Sequence, residues 1–193
     1  MSRFWQTGWH DIIFVIITIL WWAEFRFFRS SGDRTDRDKN KSFKIILASI
    51  LVSILLSIIL TVLSIGMASP GRQNFFRRLG LIIYASGLII RYWSSYLLGS
   101  YFNRNVKVDS DQELVSKGPY RLIRHPLYLG LLLLTAGVPV YMGNILALFL
   151  TILLLLPALH YRIMEEEKKM EDILGDKYSR WKKKRKRLIP YLY

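Results

Sequence analysis

The sequence predicts an all-α integral membrane protein with about five transmembrane helices, the last two of which form a helical hairpin. Of its 193 residues, 52% are hydrophobic, and the mean hydropathy is +0.23. The chain nevertheless carries 28 Lys and Arg against 14 Asp and Glu, a formal net charge of +14. Apolar and basic residues lie in separate blocks. This segregation indicates apolar segments in lipid and basic segments in water.

The composition also excludes several classes of protein. A compact soluble domain of this charge would suggest a nucleic-acid-binding protein, but the long charge-free apolar runs argue against one, and no nucleic-acid partner is expected. A single membrane domain spanning residues 1–193 leaves no length for a separate catalytic domain of ordinary size. The chain has no cysteine, so it has no disulfide and no thiolate nucleophile. Its three histidines form no His-x-x-x-His pair, so no metal is expected.

The first three spans are expected at residues 10–28, 43–67 and 76–98. The first has aromatic residues at both ends, as in the aromatic belts of membrane interfaces. No small-residue cleavage site follows it, and we therefore interpret it as a retained span rather than a signal peptide. The second is the most uniformly apolar, with no charge after Lys44.

Charged residues inside the spans are informative because a charge in lipid is costly and usually faces a polar cavity. Arg91 lies about midway along the third span. We therefore predict that Arg91 faces a ligand rather than snorkelling to the interface. Glu24 and Arg26 lie near the end of the first span, where snorkelling and pairing are both open to them.

The last apolar stretch, residues 126–161, is too long for one span. At ~1.5 Å per residue its 36 residues would form a helix of roughly 54 Å, whereas the hydrocarbon core is ~30 Å thick. Gly137, Pro139, Gly143 and Asn144 are expected to break this stretch. The result is a hairpin of spans 126–142 and 144–161.

The positive-inside rule supports five spans. With five, segments 29–44, 100–125 and 162–193 lie on one face and hold 22 of the 28 Lys and Arg. The other face holds four, and four or six spans would destroy this asymmetry. We therefore expect the N-terminus outside and the C-terminus in the cytoplasm, where anionic lipids would bind the basic face, the run Lys182 to Arg187 above all.

The first segment of chemical interest contains Gly118-Pro119-Tyr120 and His125-Pro126-x-Tyr128-x-Gly130. Proline disfavours a helical residue before it and is well placed at the first helical position. His125 should therefore lie at the start of the fourth span, beside backbone N–H groups that favour an anion. Anchoring to lipid headgroups is the alternative for Arg121 and Arg124, but it does not require the other fixed positions.

The second segment follows the last span. Arg162 and Glu166 are four residues apart and share one helical face. Glu165, Glu166 and Glu167 form a run of carboxylates on an otherwise basic face. The carboxylates of such a site would bind an ammonium group or ribose hydroxyls. Arg162 would bind an anion. An exposed helix with internal ion pairs is the alternative, which we accept for the lysines that follow.

These two segments resemble the isoprenylcysteine carboxyl methyltransferase family. The resemblance rests on Leu114-Val115-x-x-Gly118-Pro119-Tyr120-x-x-x-Arg124-His125-Pro126-x-Tyr128-x-Gly130, on Arg162-x-x-x-Glu166-Glu167-x-x-Met170-x-x-x-Leu174-Gly175-x-x-Tyr178, and on Leu188-Ile189-Pro190. It covers about half of the chain, from Arg91 onward, and its motifs are specific. Size and composition resemble a compact prokaryotic or archaeal member, which implies a multi-pass protein of the cell membrane; the eukaryotic family is in the endoplasmic reticulum.

The resemblance implies S-adenosylmethionine as cofactor and S-adenosylhomocysteine as product, in a cytoplasmic pocket formed by segment 100–125 and the C-terminal helix. It implies cofactor contacts at Gln112, Glu113, Leu114, Val115, Tyr120, His125, Pro126, Leu127, Tyr128, Glu166 and Glu167, with Asn105 at a further position. Arg162 is expected to bind the substrate's carboxylate, with Arg91 across the cavity. The C-terminal region 162–193 would complete the active site.

The function that this resemblance implies is methylation of the C-terminal carboxylate of a prenylated cysteine, or of a similar lipophilic carboxylate, which enters from the bilayer. A carboxylate is ionised at pH 7, so the reaction needs no general base. A phospholipid N-methyltransferase has a similar motif pattern and is the alternative enzyme. A membrane scaffold or small transporter would explain the charge and the spans but leaves both motifs unexplained.

Overall fold

A computed structural model describes residues 8–27, 41–99 and 114–189 and, in these ranges, consists of helices and connecting turns. The five α-helices are α1 (Trp9–Phe27), α2 (Lys41–Val62), α3 (Gln73–Leu98), α4 (Pro126–Tyr141) and α5 (Ile145–Lys183). Two 3-10 turns, Pro70–Arg72 and Gly118–Arg121, precede α3 and α4. The described residues contain no β-strand, only two isolated bridges. The predicted all-helical class is confirmed.

Each helix coincides with one apolar block of the sequence. Three segments are long and apolar enough to cross a membrane: Lys41–Val62, Pro70–Leu98 and Ile145–Lys183. Helix α4 is apolar but has only 16 residues, and α1 has 19. Large hydrophobic side chains are exposed along these helices, for example Leu55, Ile89 and Phe149, as expected for surfaces that face lipid. The chain is an integral membrane protein.

The α4–α5 hairpin turns at Met142–Asn144. Gly143 has φ +70°, and Asn144 begins α5 because its side chain accepts a hydrogen bond from the Ala147 amide at 2.9 Å. Two of the residues expected to break the helix, Gly137 and Pro139, instead lie inside α4. Gly137 serves close packing rather than a turn, since a Cβ atom there would lie 3.0 Å from the backbone of Tyr84 on α3.

Helices α3 and α4 approach each other closely along paired glycines. A Cβ atom on Gly87 would lie 2.8 Å from the carbonyl oxygen of Gly130, and one on Gly80 would lie 2.3 Å from the amide of Tyr141. Small residues allow such approach between helices in membranes, where tight packing replaces the hydrophobic effect as the source of association. This seam sets the position of the first turn of α4, which carries the His-Pro motif.

Aromatic side chains join α1 to the α3–α4 pair. Phe14 stacks on Tyr84 at 4.8 Å and on Tyr141 at 4.4 Å between ring centroids. The hydroxyl of Tyr141 donates to Asp11, and that of Tyr84 lies 3.1 Å from Thr18 Oγ1. These polar contacts satisfy groups that would otherwise be costly among apolar side chains. These aromatic and polar contacts hold α1 against α3 and α4.

Helix α5 continues well beyond its apolar part. It runs to Lys183 with one interruption of helical geometry, at Gly175, which has φ 49° and ψ −125°. The apolar part ends near Tyr161, and the following turns carry Arg162 and the three glutamates. These charged residues therefore lie on a helix that packs against α2 and α4.

We expect a larger residue at the glycine seam to weaken the fold. In Gly87→Val the new side chain meets backbone atoms of α4 at under 3.0 Å, and overpacking of this kind costs about 1–3 kcal/mol. The unfolding midpoint in detergent should fall accordingly. Gly71→Ala is the control, because nothing lies within 4 Å of the added Cβ atom there. Equal midpoints for the two variants would contradict the seam.

Candidate active site

The His-Pro motif lies where a helix starts, as predicted. Pro126 is the first residue of α4, and His125 before it has non-helical φ −125° and ψ 58°. The two residues that precede Pro126 are paired with the chain that follows α5. The amides of Arg124 and His125 donate to the carbonyl oxygens of Lys186 and Arg187 at 2.8 and 3.1 Å. Residues 184–189, which follow α5 and are called the C-terminal segment below, therefore pair with the residues that precede α4 and satisfy their backbone N–H groups.

Four side chains from the two motifs meet in one charged cluster. Tyr128 Oη donates to Glu166 Oε1 at 2.5 Å. Arg162 Nε lies 3.1 Å from the same oxygen and 3.1 Å from Tyr128 Oη. His125 Nδ1 lies 3.7 Å from the other oxygen, Glu166 Oε2. Residues about 40 positions apart along the chain are thus brought together.

Exposure differs sharply within this cluster. The side chain of Glu166 is 20% exposed, whereas that of Arg162 is 3% exposed. Glu166 therefore lies at the border between the cluster and its surroundings, with Arg162 behind it. An arginine in such a low-dielectric position interacts strongly with any anion beside it.

Glu167 has a different environment from Glu166. It is 2% exposed, and basic groups surround it: His125 Nε2 at 3.1 Å, Arg124 Nη1 at 3.1 Å, Arg187 Nη2 at 3.3 Å and Lys182 Nζ at 3.4 Å. Burial alone would raise the pKa of Glu167, but the hydrogen bond from His125 and the neighbouring positive charges lower it to about 2. Glu167 therefore joins α5, the start of α4 and the C-terminal segment.

The end of α5 and the C-terminal segment also contact the chain that precedes α4. Trp181 Nε1 donates to the Val115 carbonyl at 3.2 Å, and Arg185 Nε donates to the Tyr120 carbonyl at 2.7 Å. The Arg185 guanidinium lies 4.5 Å above the Trp181 ring, a favourable cation–π arrangement. Part of the basic run that we interpreted as a lipid-binding patch is therefore committed to contacts within the protein.

Arg91 has a buried partner. Its guanidinium binds Glu24 at 2.7 Å through Nε and at 2.6 Å through Nη2, and Nη1 donates to the Leu127 carbonyl at 3.1 Å. Glu24 is fully buried. Of the outcomes considered for Glu24, pairing is the one observed. The described contacts of Arg91 join α1, α3 and α4, and its role towards a substrate stays a prediction.

The remaining predicted site residues divide into two groups. Leu114, Val115 and Leu127 are partly buried, and Tyr120 and Pro126 are buried, all near the cluster in sequence or through the contacts above. Asn105, Gln112 and Glu113 lie outside the described residues, so their roles stay predictions. Among the residues that the structure describes, no three His, Asp or Glu side chains are grouped so as to hold a metal ion.

Sequence reasoning missed the contributions of Ser42, Trp181 and Arg185. Ser42 on α2 lies 2.8 Å from Arg162 Nη1, and a serine on an apolar helix carries no signal that it will meet an arginine 120 residues away. In the sequence, Trp181 directly precedes the basic run Lys182 to Arg187, and Arg185 is one member of that run. Their carbonyl partners are backbone atoms, which no sequence pattern can mark.

The fold and this cluster define a multi-pass membrane protein with a charged site at the ends of α4 and the apolar part of α5. Residues 79–172 match the family model described as the isoprenylcysteine carboxyl methyltransferase (ICMT) family. That stretch contains α4, most of α3 and the Arg162 to Glu167 run. This match confirms the resemblance that the sequence motifs predicted.

Individual relatives support the match. The chain is 33% identical over 117 residues to the protein-S-isoprenylcysteine O-methyltransferase of Xenopus laevis, covering 59% of this chain and 40% of that protein. It is 33% identical over 86 residues to the enzyme of that name from Schizosaccharomyces pombe, covering 45% and 36%. It is 32% identical over 84 residues to the uncharacterized protein YpbQ of Bacillus subtilis, covering 44% and 50%. The chain thus spans half or less of the length of these relatives.

A solved structure shares the fold. The eukaryotic intramembrane Ras methyltransferase ICMT (isoprenylcysteine carboxyl methyltransferase) aligns with 95% of this chain and 62% of its own, with a TM-score of 0.59 and 22% sequence identity. The similarity therefore extends beyond residues 79–172 to α1 and α2. It is a similarity of helix arrangement.

The low pKa of Glu167 predicts an acid-sensitive site. Its folded-state pKa of about 2 lies below the ordinary 4.5, so its charge stabilises the fold fully above about pH 4.5, and this contribution is lost as the pH falls towards 2. We expect the unfolding midpoint of the wild type to exceed that of Glu167→Gln at pH 7 and the gap to narrow over that window. A gap that is independent of pH would contradict the assignment.

The Glu24–Arg91 pair predicts strong non-additivity. Glu24→Gln or Arg91→Gln alone leaves a buried charge without its partner and should cost about 3–5 kcal/mol. The double variant should recover a large part of that loss, because no unmatched charge remains. A double-mutant cycle on unfolding in detergent measures the coupling. Losses that simply add would show that the two residues act independently.

Proposed function

We propose that this protein is an S-adenosylmethionine-dependent methyltransferase of the membrane, acting on the C-terminal carboxylate of a prenylated cysteine or on a similar lipophilic carboxylate. The observation that carries the proposal is the cluster of Tyr128, Arg162 and Glu166 within the segment that matches the family model. An enzyme of this class needs an anion-binding group next to a cofactor site, and the buried Arg162 beside the partly exposed Glu166 is compatible with that requirement. The names of two relatives point to the same chemistry.

The polar groups beside the cluster suit such a cofactor. Arg124 Nε is buried and makes no hydrogen bond, whereas Nη1 of the same guanidinium is paired with Glu167. A donor such as Nε complements a carboxylate, and the partly exposed Glu166 complements an ammonium group or ribose hydroxyls. S-adenosylmethionine carries all of these groups. Their complementarity supports the cofactor assignment.

The proposed division of roles follows from burial and charge. Leu114, Val115, Tyr120, Pro126, Leu127 and Tyr128 would provide the apolar and aromatic walls of the cofactor site, His125 and Glu166 its polar contacts, and Gln112, Glu113 and Asn105 further contacts. Four basic partners surround Glu167, so we assign it to holding His125 and the C-terminal segment in place.

The chemistry asks little of the protein beyond alignment. When bound, the cofactor supplies a methyl group on a positively charged sulfur. A carboxylate acceptor is ionised at pH 7 and loses no proton. Arg162 would orient that carboxylate by a charge-assisted hydrogen bond, and the buried position of its guanidinium keeps water from competing. The prenyl chain would remain among the apolar helices, entering from the bilayer.

An amine acceptor fits the cluster less well. A phospholipid amine is protonated at pH 7 and has to lose a proton before or during transfer. Glu166 Oε1 already accepts a hydrogen bond from Tyr128 and lies 3.1 Å from Arg162 Nε, so two donors already occupy that oxygen. The carboxylate acceptor is therefore favoured over a phospholipid amine.

We also propose that the C-terminal side of the protein is cytoplasmic, with the N-terminus outside, and that its surface binds anionic lipids. Lys117, Arg121, Lys183, Lys184 and Lys186 are exposed, and the bridge between Ile123 and Lys186 brings their two segments together. Residues 114–125 and 177–189 contain no Asp or Glu. A surface of one charge sign beside an exposed leucine, Leu122, suits an interface with anionic headgroups.

Arg162→Ala tests the proposed acceptor role. We expect methyl transfer from labelled S-adenosylmethionine to farnesylated cysteine to fall by about 100-fold, as when one partner of a buried charge pair is removed. Binding of S-adenosylhomocysteine should change by less than about threefold if Arg162 meets the acceptor alone. Arg78→Ala, which removes an exposed arginine of α3, is the matched control and should leave both unchanged.

The same assay separates the alternatives. Base-labile label on farnesylated cysteine supports a methyl ester, whereas label on phosphatidylethanolamine alone would reverse the assignment to an N-methyltransferase. Absence of S-adenosylhomocysteine binding in the wild type, with no further effect of Glu166→Gln, would leave the scaffold or transporter as the explanation.

A further inference from the structure

Ser42, near the start of α2, contacts the arginine of the site. Its Oγ atom accepts a hydrogen bond from Arg162 Nη1 at 2.8 Å. Ser42 is fully buried, and Arg162 is 2% exposed. We propose that Ser42 is a positioning residue for the acceptor, acting by holding the Arg162 guanidinium in a fixed orientation. The inference rests on the proposed function of that site and adds a residue outside the segment that matches the family model.

The hydroxyl of Ser42 is used differently from the hydroxyls of other serines in α2. Serine hydroxyls inside a helix commonly bond to the carbonyl four residues earlier, and Ser49 and Ser57 of α2 do so, to Ile45 at 2.9 Å and Ser53 at 2.7 Å. The hydroxyl of Ser42, the second residue of α2, bonds to Arg162 on α5. This hydroxyl instead serves another helix.

The hydroxyl has both of its functions engaged. It accepts from Arg162 and is hydrogen-bonded to Glu165, the residue three positions further along α5. Burial alone would raise the pKa of Glu165, but the hydrogen bond with Ser42 and the charge of Lys169 lower it. Because Glu165 can only accept when ionised and Arg162 can only donate, Ser42 donates to Glu165 and accepts from Arg162. The direction of both hydrogen bonds is therefore determined.

The contact with Ser42 holds Arg162 from a second helix, in addition to its contacts with Glu166 and Tyr128. Glu166 and Tyr128 both meet the Nε atom, which constrains one edge of the planar guanidinium. The bond from Nη1 to Ser42 adds a second direction from a different helix. Two directions define the plane of the group, and an arginine binds a carboxylate strongly only when its plane is correctly aligned.

Ser42→Ala tests the inference, with Ser57→Ala as a matched control. Ser57 lies on the same helix and is equally buried, but its hydroxyl bonds within the helix. We expect Ser42→Ala to raise KM for farnesylated cysteine by about tenfold, the loss typical of one hydrogen bond to a charged group. The kcat value and the Kd for S-adenosylhomocysteine should change by less than about twofold, because only acceptor binding depends on this contact.

Ser42→Thr, which keeps a hydroxyl, should restore KM to within about threefold of the wild type. Equal KM values for Ser42→Ala and Ser57→Ala would overturn the inference. So would a parallel loss of acceptor and cofactor binding, which indicates a general structural defect. Unfolding midpoints of all three variants, measured in the same detergent, show whether each one is folded.

One readout requires no acceptor, and it separates failure of the inference from failure of the proposed function. Hindered rotation of the Arg162 guanidinium should give resolved Nη resonances in NMR spectra of the wild type and of Ser57→Ala. These resonances should collapse in Ser42→Ala. If the wild type methylates no prenylated cysteine but shows this difference, the proposed function fails while the contact stands. Unchanged resonances in Ser42→Ala, beside an active wild type, reject Ser42 alone.

Discussion

The buried charges that the structure describes lie beside polar or oppositely charged groups from other parts of the chain, and the site depends on these contacts. Glu24 of α1 binds Arg91 of α3, Glu166 of α5 meets Tyr128 of α4 beside Arg162, and Glu167 binds groups before α4 and near the C-terminus. Each pair offsets a desolvation cost that either charge alone could not bear. The pairs therefore contribute to which parts of the chain meet and in what register.

The glycine seam and the charge pairs have complementary roles. Gly87 and Gly130 let α3 and α4 approach until their backbones touch, and this contact carries the helix that begins after His125. The C-terminal segment then covers that helix start by backbone hydrogen bonds to Arg124 and His125. The charged cluster can be rigid under these conditions because its residues come from elements that contacts within the protein hold in place.

The two neighbouring glutamates show how burial divides function between similar residues. Glu166 is partly exposed and shares its oxygen with Tyr128 and Arg162, so it can meet a ligand. Glu167, one residue later and about 100° around the helix, is enclosed by cations and holds the structure together. Helix α2 also contacts this part of α5, because the hydroxyl of Ser42 on α2 bonds to both Arg162 and Glu165 of α5.

The sequence by itself determined the helical class, the apolar blocks, the start of α4 at Pro126, and the two motifs that resemble the family whose model matches residues 79–172, because hydropathy, proline geometry and residue spacing are local properties. It also predicted that Arg162 and Glu166 share a face. Only the tertiary structure decided that Arg91 pairs with Glu24, that Glu167 faces inward and that Gly137 packs rather than turns. Those outcomes depend on which surfaces meet between distant helices, and no local pattern contains that information.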